Sequence, residues 1–173
     1  MKISIIIPTF KNFAYLKFCI DSIIKNSKFD HEIIVHINGE DNLTEDYLSK
    51  KKLLYTKSKE NIGLCSGVNL ASKKSTQNYI MYSHDDMFFC KNWDIYLENE
   101  IRQYPNNLYY LTGTNVSVKN GLINYDCGSS PINFDELKFD NFCRNDVSKD
   151  LQGSHWAPHL IHKELWSKIG GFS

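Results

Sequence analysis

The chain has 173 residues, of which 42% are hydrophobic and 23% charged, so it can form one folded domain with a sizeable core and is not disordered. Its 20 basic and 20 acidic side chains cancel, and bulk charge therefore gives no reason to expect a nucleic acid partner. The five cysteines are odd in number and widely spaced, which favours reduced thiols in a cytoplasmic compartment over a disulfide framework or a cysteine zinc site.

The first hundred or so residues are predicted to alternate between strands and helices. Apolar runs indicate strands at Ile3–Ile7, Glu32–Ile37, Leu53–Thr56 and Tyr79–Ser83. One helix is expected to follow Asn12, and a second, at 45–51, to follow Thr44, with these two residues as N-terminal caps. Further helices are expected at 64–74 and at 93–103. This alternation predicts an α/β fold with a mostly parallel, doubly wound sheet and helices on both faces.

The remaining residues follow a different pattern. Leu108–Leu111 is strand-like, 114–150 is predicted to be irregular, and 155–162 is predicted to be extended because Pro158 opposes a helix interior. A short helix at 163–169 is expected to end at Gly170. With no repeat or linker, a single domain is expected. The apolar run at the N-terminus is too short for a signal peptide or a membrane span, so a soluble protein is expected, with peripheral membrane attachment left open.

Two adjacent carboxylates, Asp85 and Asp86, follow the strand at Tyr79–Ser83. Ligands of open α/β sheets bind beyond the carboxyl ends of the strands, and carboxylates there suit a hard divalent cation that holds a phosphate. In an extended backbone the two would point to opposite sides, one toward a metal and the other toward a polar partner such as a ribose. A solvated turn, or a cap of the next helix, is the alternative.

Two further segments suggest a ligand site. The stretch from Asn61 to Asn69 contains Gly63 and opens into a helix whose free N–H groups suit an anion or a base edge, although it could equally be a closely packed helix start. The turn Pro8-Thr9-Phe10 ends the first strand at the edge where the carboxylates lie, and an ordinary turn is its alternative.

Histidines are the remaining candidates for a metal. His155, His159 and His162 are spaced as H-x3-H-x2-H, but Pro158 disfavours the helix that would align the first two, and a zinc site is not favoured. His84 directly precedes the acidic pair and could act as a ligand or as a hydrogen-bond donor beside one.

Taken in order, these segments resemble the family 2 glycosyltransferases. The matching pieces are Ile3–Phe10, Glu32–Asn42, Asn61–Asn69, Tyr79–Met87 and His162–Phe172. The resemblance implies a GT-A type fold, with a nucleotide-sugar-binding half at about 1–112 and a partial acceptor-binding half at about 113–173. It also implies inverting transfer of a sugar from a UDP- or GDP-linked donor to a glycan, lipid or protein acceptor. The location expected for this transfer is the cytoplasm, with the inner face of a membrane left open.

The resemblance also implies roles for individual residues. Asp86 would hold Mn²⁺ or Mg²⁺ on the donor diphosphate, as part of a D-x-D-like element that begins at His84, and Asp85 would contact the ribose or sugar. The other residues expected to bind the nucleotide-sugar are Pro8, Thr9, Phe10, Asn38, Glu40, Asn61, Gly63 and Asn69.

Three positions depart from the family pattern. Asn38 stands where an aspartate usually contacts the base, and His84 stands where some members have a third carboxylate. In relatives, the Gly170-Gly171-Phe172 element precedes a segment with the acidic catalytic base. A truncated chain is therefore expected, with its base beyond Ser173. A base supplied from elsewhere, or an inactive chain, is the alternative. Three acidic residues lie in the second half, and their spacing nominates none of them: Asp126, Asp135 and Asp150.

These departures leave open a non-catalytic module that binds a nucleotide-sugar or a glycan. A nucleotidyltransferase is disfavoured, because the glycine-rich loop it needs after the first strand is replaced by Thr9-Phe10-Lys11-Asn12.

Overall fold

A six-stranded sheet forms the centre of the computed structural model, which describes residues 1–145 and 157–173. Its strands are β1 (Ser4–Thr9), β2 (Glu32–Ile37), β3 (Leu54–Lys57), β4 (Tyr79–Tyr82), β5 (Tyr110–Thr112) and β8 (His159–His162). A separate two-stranded ladder consists of β6 (Val116–Ser117) and β7 (Ile123–Asn124).

The strand order in the main sheet is β3-β2-β1-β4-β8-β5. The first four strands in this order are parallel, whereas β8 is antiparallel to both β4 and β5. The predicted mostly parallel sheet is therefore confirmed, with one reversed strand inserted between two that share a direction. That strand lies in the segment predicted to be extended.

Helices cover both faces of this sheet, as predicted. They are α1 (Phe13–Asn26), α2 (Asn42–Lys50), α3 (Leu64–Ser72), α4 (Trp93–Ile101), α5 (Glu136–Asn145) and α6 (Lys163–Ile169). Side chains alternate along a strand, so β1 supplies Ile5 to a core shared with Leu16 of α1 and Ile6 to a second core shared with Val68 of α3. Burial on both faces explains the apolar run Ile5–Ile7 within β1.

The two predicted helix caps are not made as expected. α1 begins after Asn12, but the Asn12 side chain makes no capping bond and turns to Asp85 instead. Thr44 lies inside α2, where its N–H donates to the Asp41 carboxylate at 3.1 Å, so Asp41 is the cap. Both corrections reflect a side chain with a better partner than the local pattern indicates.

The prediction that residues 114–150 are irregular is wrong for α5. Asp135 caps this helix by accepting from Lys138 N–H at 2.9 Å, and Phe139 packs against Phe88 with ring centroids 5.6 Å apart. Phe142 stacks on Tyr125 at 4.0 Å. These contacts with distant residues stabilise a helix that its polar composition does not indicate.

The histidines of the H-x3-H-x2-H pattern do not form a described metal site. His155 lies outside the described residues, as does Asp150. His159 packs against Tyr82 with ring centroids 5.6 Å apart, and the His162 ring accepts from Glu164 N–H at 3.3 Å to cap α6. Within residues 1–145 and 157–173, no three His, Cys, Asp or Glu side chains are placed to hold a metal ion. Over the same ranges, every helix is too short or too polar to cross a membrane.

Candidate functional site

The carboxyl ends of β1, β2 and β4 bring predicted site residues to one edge of the sheet. Thr9 ends β1, and its carbonyl accepts from Asn38 N–H at 2.9 Å, directly after β2. β4 ends at Tyr82, and the next residue, Ser83, donates its N–H to Ile6 of β1 at 3.0 Å. The chain therefore enters His84-Asp85-Asp86 beside the end of β1.

Asp85 is fixed by two hydrogen bonds from the end of β1 and the start of α1. The Thr9 hydroxyl donates to Oδ2 at 2.6 Å, and the Asn12 amide donates to Oδ1 at 3.1 Å. Burial raises the pKa of Asp85, these two hydrogen bonds oppose that shift, and the neighbouring charge of Asp86 adds to it. Asn12 was predicted only as a helix cap, and no local pattern reveals its partner, which lies 73 residues away.

Asp86 has a different environment although it is the next residue. Its side chain is 56% exposed, and that of His84 is 47% exposed, with His84 Nδ1 lying 3.8 Å from Asp86 Oδ1. The two acidic residues lie in a turn rather than in an extended strand. One carboxylate therefore faces inward, and the other faces solvent.

The donor atoms at this turn fit a magnesium or manganese ion that is shared with a phosphate. Such ions usually take one or two carboxylates from the protein and keep water or phosphate oxygens in the remaining positions. Among the described residues, the Asp86 carboxylate receives no hydrogen bond, so its oxygens are available to a cation.

The ends of β1 and β2 and the loop before α3 converge around Gly39, whose φ is +89°. A Cβ built on Gly39 would lie 3.7 Å from the Phe10 ring and 3.9 Å from the Asn61 backbone N. Phe10 is 48% exposed at the rim of this region. Asn38 is buried and accepts from Ile62 N–H at 3.2 Å, so it fixes the loop that approaches Gly39.

The other predicted residues surround this region. Pro8 is buried within β1 opposite His36, and Glu40 is exposed after Gly39. The Asn61 side chain accepts from Gly63 N–H at 2.9 Å, and Gly63, with φ of +81°, caps α3 without a side-chain hydrogen bond. Asn69 lies away from the helix start and binds the backbone of Phe172 through its amide.

Tyr82 is a candidate residue of this site that the sequence did not indicate. The residue is 4% exposed, and its ring lies 5.4 Å from both the His84 ring and the Phe172 ring. Its hydroxyl is buried, and none of the described residues accepts from it or donates to it. Burial raises the pKa of Tyr82, and the charges of Asp86 and Asp85 raise it further.

Asp126 and Asp135, two of the three acidic residues considered as a base, accept backbone N–H groups of nearby residues. Asp126 accepts from Gly128 N–H at 2.9 Å, and Asp135 caps α5. Neither is placed against Asp85 or Asp86 by a contact that the structure describes.

The model of the glycosyl transferase family 2 matches residues 4–156. The chain belongs to this family. The match covers the acidic turn, the Thr9 end of β1 and the start of α3, which are the parts of the candidate site. A comparison with curated protein sequences found no significant match.

Several solved structures share the fold. S. aureus TarS 1–349 in complex with UDP is 15% identical with a TM-score of 0.71, and 98% of this chain covers 49% of that one. The same protein in complex with UDP-GlcNAc is 16% identical with a TM-score of 0.67, and the match covers 98% of this chain and 48% of that one. Mannosyltransferase PcManGT from Pyrobaculum calidifontis, in complex with GDP-Man and Mn²⁺, is 16% identical with a TM-score of 0.60. The match covers 99% of this chain and 47% of that one.

The chain thus spans about half the length of these structures. The GT-A type α/β fold expected from the resemblance is confirmed by the family match and by this structural similarity.

Proposed function

We propose that this chain carries the donor-binding part of a metal-dependent, inverting glycosyltransferase that takes its sugar from a UDP- or GDP-linked donor. The observation that carries this proposal is the inward Asp85, held by Thr9 and Asn12, beside the exposed Asp86. Structures of the same fold contain UDP, UDP-GlcNAc, or GDP-Man with Mn²⁺, which supports a nucleotide-sugar partner.

Asp85 is suited to bind hydroxyl groups of the ribose or sugar. An ionised carboxylate has about four lone-pair sites, and Thr9 and Asn12 use one on each oxygen. The remaining sites can accept from ligand hydroxyls without breaking the existing bonds. Because Thr9 and Asn12 fix the carboxylate, it is oriented before the donor binds.

Asp86 would hold a Mn²⁺ or Mg²⁺ ion, and His84 lies beside it as a second polar group. When bound, such an ion stabilises the charge on a departing nucleotide diphosphate as a Lewis acid. The protein's own contribution is to orient this carboxylate toward solvent at the edge where the donor would lie.

The nucleoside would lie near Gly39, where Phe10 offers an exposed ring. The backbone at Pro8 and Thr9, with Asn38 and Glu40, would line the base region. Asn61 shapes the turn into Gly63 and α3, whose N-terminal N–H groups favour an anion. Asn69 would support this arrangement indirectly, through its contact with Phe172. The Asn38 amide offers both a donor and an acceptor, so it suits the nucleobase of either UDP or GDP. Binding of both nucleotides is therefore compared below.

Transfer also requires a base that deprotonates the acceptor hydroxyl. Asp126 and Asp135 are occupied by local backbone N–H groups, so neither is assigned this role. The acceptor would be a glycan, lipid or protein. A lipid-linked acceptor would bring a cytoplasmic protein to the inner face of a membrane.

Isothermal titration with UDP and with GDP, each with and without Mn²⁺, tests the proposal. Binding to the unchanged chain should strengthen with Mn²⁺, and Asp86→Ala should weaken it at least about tenfold, or about 1.4 kcal/mol. Asp46→Ala is the matched control, because Asp46 is an exposed acidic residue of α2. Binding that does not depend on Mn²⁺ and is equal in the unchanged chain, Asp86→Ala and Asp46→Ala would contradict the proposal.

A binding module without catalytic activity is the second candidate, favoured by the engagement of Asp126 and Asp135 in turns. Such a module would bind the donor with the same metal dependence but would not consume it. Release of UDP from UDP-GlcNAc, or of GDP from GDP-Man, that is lost in Asp86→Ala would exclude this candidate. Binding without release would favour it.

A further inference from the structure

Two of the five cysteines, Cys90 and Cys143, lie where α5 packs against the segment that follows the acidic turn. Cys90 directly precedes Lys91, whose N–H donates to Asp140 one helical turn before Cys143, and the two thiols lie close enough to shift each other's pKa. Cys127 lies close enough to Cys143 to influence it electrostatically. These residues are far apart in the sequence, and only the fold brings them together.

The backbone around Cys90 is firmly attached to α1. Phe89 N–H donates to the Ser22 hydroxyl at 3.0 Å, and the Asn26 amide donates to Phe89 C=O at 2.7 Å. On the other side of Cys90, Asn92 N–H donates to Asn26 C=O at 2.8 Å. Cys90 is therefore presented from a fixed position.

α5 is held against this segment by contacts on both sides of Cys90. Lys91 N–H donates to the Asp140 carboxylate at 3.1 Å, and the Phe88 and Phe139 rings lie 5.6 Å apart. Cys143 is three and four residues beyond Asp140 and Phe139, and such residues share one side of a helix. Cys143 thus lies on the side of α5 that packs against the segment of Cys90.

We propose that Cys90 and Cys143 are an oxidative modification site, at which low-molecular-weight disulfides such as oxidised glutathione convert the two thiols into a reversible disulfide. Both residues are partly exposed and can be reached by a small oxidant, whereas Cys19 and Cys127 are buried.

The reactivity of the thiols supports this pair over the buried cysteines. The neighbouring Cys143 thiol lowers the pKa of Cys90, which favours its reactive thiolate. Burial raises the pKa of Cys19 to about 12 and also raises that of Cys127, so these thiols stay protonated.

The exchange is balanced as two thiol–disulfide steps. The Cys90 thiolate attacks one sulfur of oxidised glutathione, forms a mixed disulfide and releases a glutathione thiolate, which takes up a proton. Cys143 then loses its proton, attacks the Cys90 sulfur and releases the second glutathione. The two protein thiols are oxidised, the small disulfide is reduced, and the two protein sulfurs close to about 2.05 Å.

The resulting bond would join the segment after Asp86 to α5 in the second half of the chain. Closing the loop between Cys90 and Cys143 restricts the unfolded chain, so the Tm of the oxidised protein should rise by roughly 5–10 °C. Addition of a reducing thiol should reverse the change.

The test is to equilibrate the folded chain in glutathione buffers of increasing oxidised fraction, alkylate the free thiols, digest it and identify cross-linked peptides by mass spectrometry. A Cys90–Cys143 peptide that disappears on reduction is expected. It should be absent from Cys90→Ser and from Cys143→Ser. Cys65→Ser is the matched control, because Cys65 is also partly exposed and its loss should leave the cross-link intact.

Two outcomes would overturn the proposal. One is a cross-link between Cys127 and Cys143 in place of the expected peptide, and the other is glutathione adducts on Cys90 without any cross-link. Neither measurement uses a nucleotide or a metal, so the outcome does not depend on the proposed glycosyltransferase function.

Discussion

The side-chain amide of Asn69 forms hydrogen bonds with both backbone polar groups of Phe172, the N–H and the C=O. Nδ2 donates to Phe172 C=O at 2.7 Å, and Oδ1 accepts from Phe172 N–H at 2.9 Å. Gly171 allows this approach, since its φ is +85° and a Cβ there would lie 2.4 Å from Asn69 Oδ1. Two segments that are separate in the sequence therefore form one contact, which ties α3 to the chain after α6.

Asn69→Ala should lower the free energy of unfolding by about 1–3 kcal/mol, because it leaves two backbone groups of Phe172 without partners. Urea unfolding measures this difference. Asn99→Ala is the control, since Asn99 is an exposed asparagine of α4 and also gains the helix propensity of alanine. Equal stability of the two variants would show that the contact with Phe172 contributes nothing.

Asp85→Asn should leave the stability at neutral pH unchanged or raise it, while abolishing metal-dependent nucleotide binding. Burial raises the pKa of Asp85, so the ionised carboxylate is held in the folded chain at a cost. An asparagine of the same shape can still accept from Asn12, and its NH₂ group can donate to the Thr9 hydroxyl. Loss of binding without loss of stability would separate the ligand role of the charge from its structural role.

The same variant should also change the pH dependence of stability. Above the ordinary Asp pKa of about 4, the unfolded chain has lost the Asp85 proton, whereas the folded chain keeps it until its raised pKa is passed. The folded state thus binds more protons in this interval, and stability falls as the pH rises through it. Urea unfolding from about pH 4 upward should show this component in the unchanged chain and not in the variant, and identical slopes would refute it.

The sequence was sufficient to predict the sheet because its strands carry their own signal. A strand buried on both faces is largely apolar, as Ile5–Ile7 is, and the acidic turn after β4 is conspicuous for the same reason. The position of Asp85 and Asp86 at the ligand edge follows from the parallel order alone.

The parts that were not predicted depend on contacts between distant residues. Asn12 suits a helix cap locally, but its amide binds Asp85. The polar composition of α5 indicates irregular structure, and only the packing of Phe139 against Phe88 reveals a side that contacts the rest of the chain. The buried Tyr82 hydroxyl likewise has no signal in a strand where tyrosine is ordinary.

Tyr82→Phe should raise the free energy of unfolding of the ligand-free chain by about 1 kcal/mol. The change removes a buried hydroxyl that has no partner among the described residues, and such a group costs about 1–3 kcal/mol when it is left unpaired. Tyr96→Phe is the control, because Tyr96 is 59% exposed and its hydroxyl reaches water. Destabilisation by Tyr82→Phe beyond that of the control would show that the hydroxyl has a partner in solution.

Asp94 and His31 form a buried contact that joins α4 to the turn before β2. The Asp94 carboxylate accepts from Lys28 N–H at 2.7 Å, from Phe29 N–H at 2.9 Å and from His31 Nε2 at 3.2 Å. His31 Nδ1 accepts from Ile3 N–H at 3.2 Å, which places the proton of the neutral ring on Nε2. Burial lowers the pKa of His31, although Asp94 opposes the shift.

The unfolded chain should therefore bind a proton near pH 6.5 that the folded chain does not bind at His31 until a lower pH. Since the unfolded state binds more protons in that interval, stability should fall as the pH drops below about 6.5. His31→Gln retains a donor toward Asp94 and cannot titrate, so its unfolding free energy should fall less over the same interval. Urea unfolding at about pH 7.5 and about pH 5.5 measures the difference, with His84→Gln as a control at an exposed histidine. A His31→Gln variant that loses as much stability as the unchanged chain would assign the pH dependence to other groups.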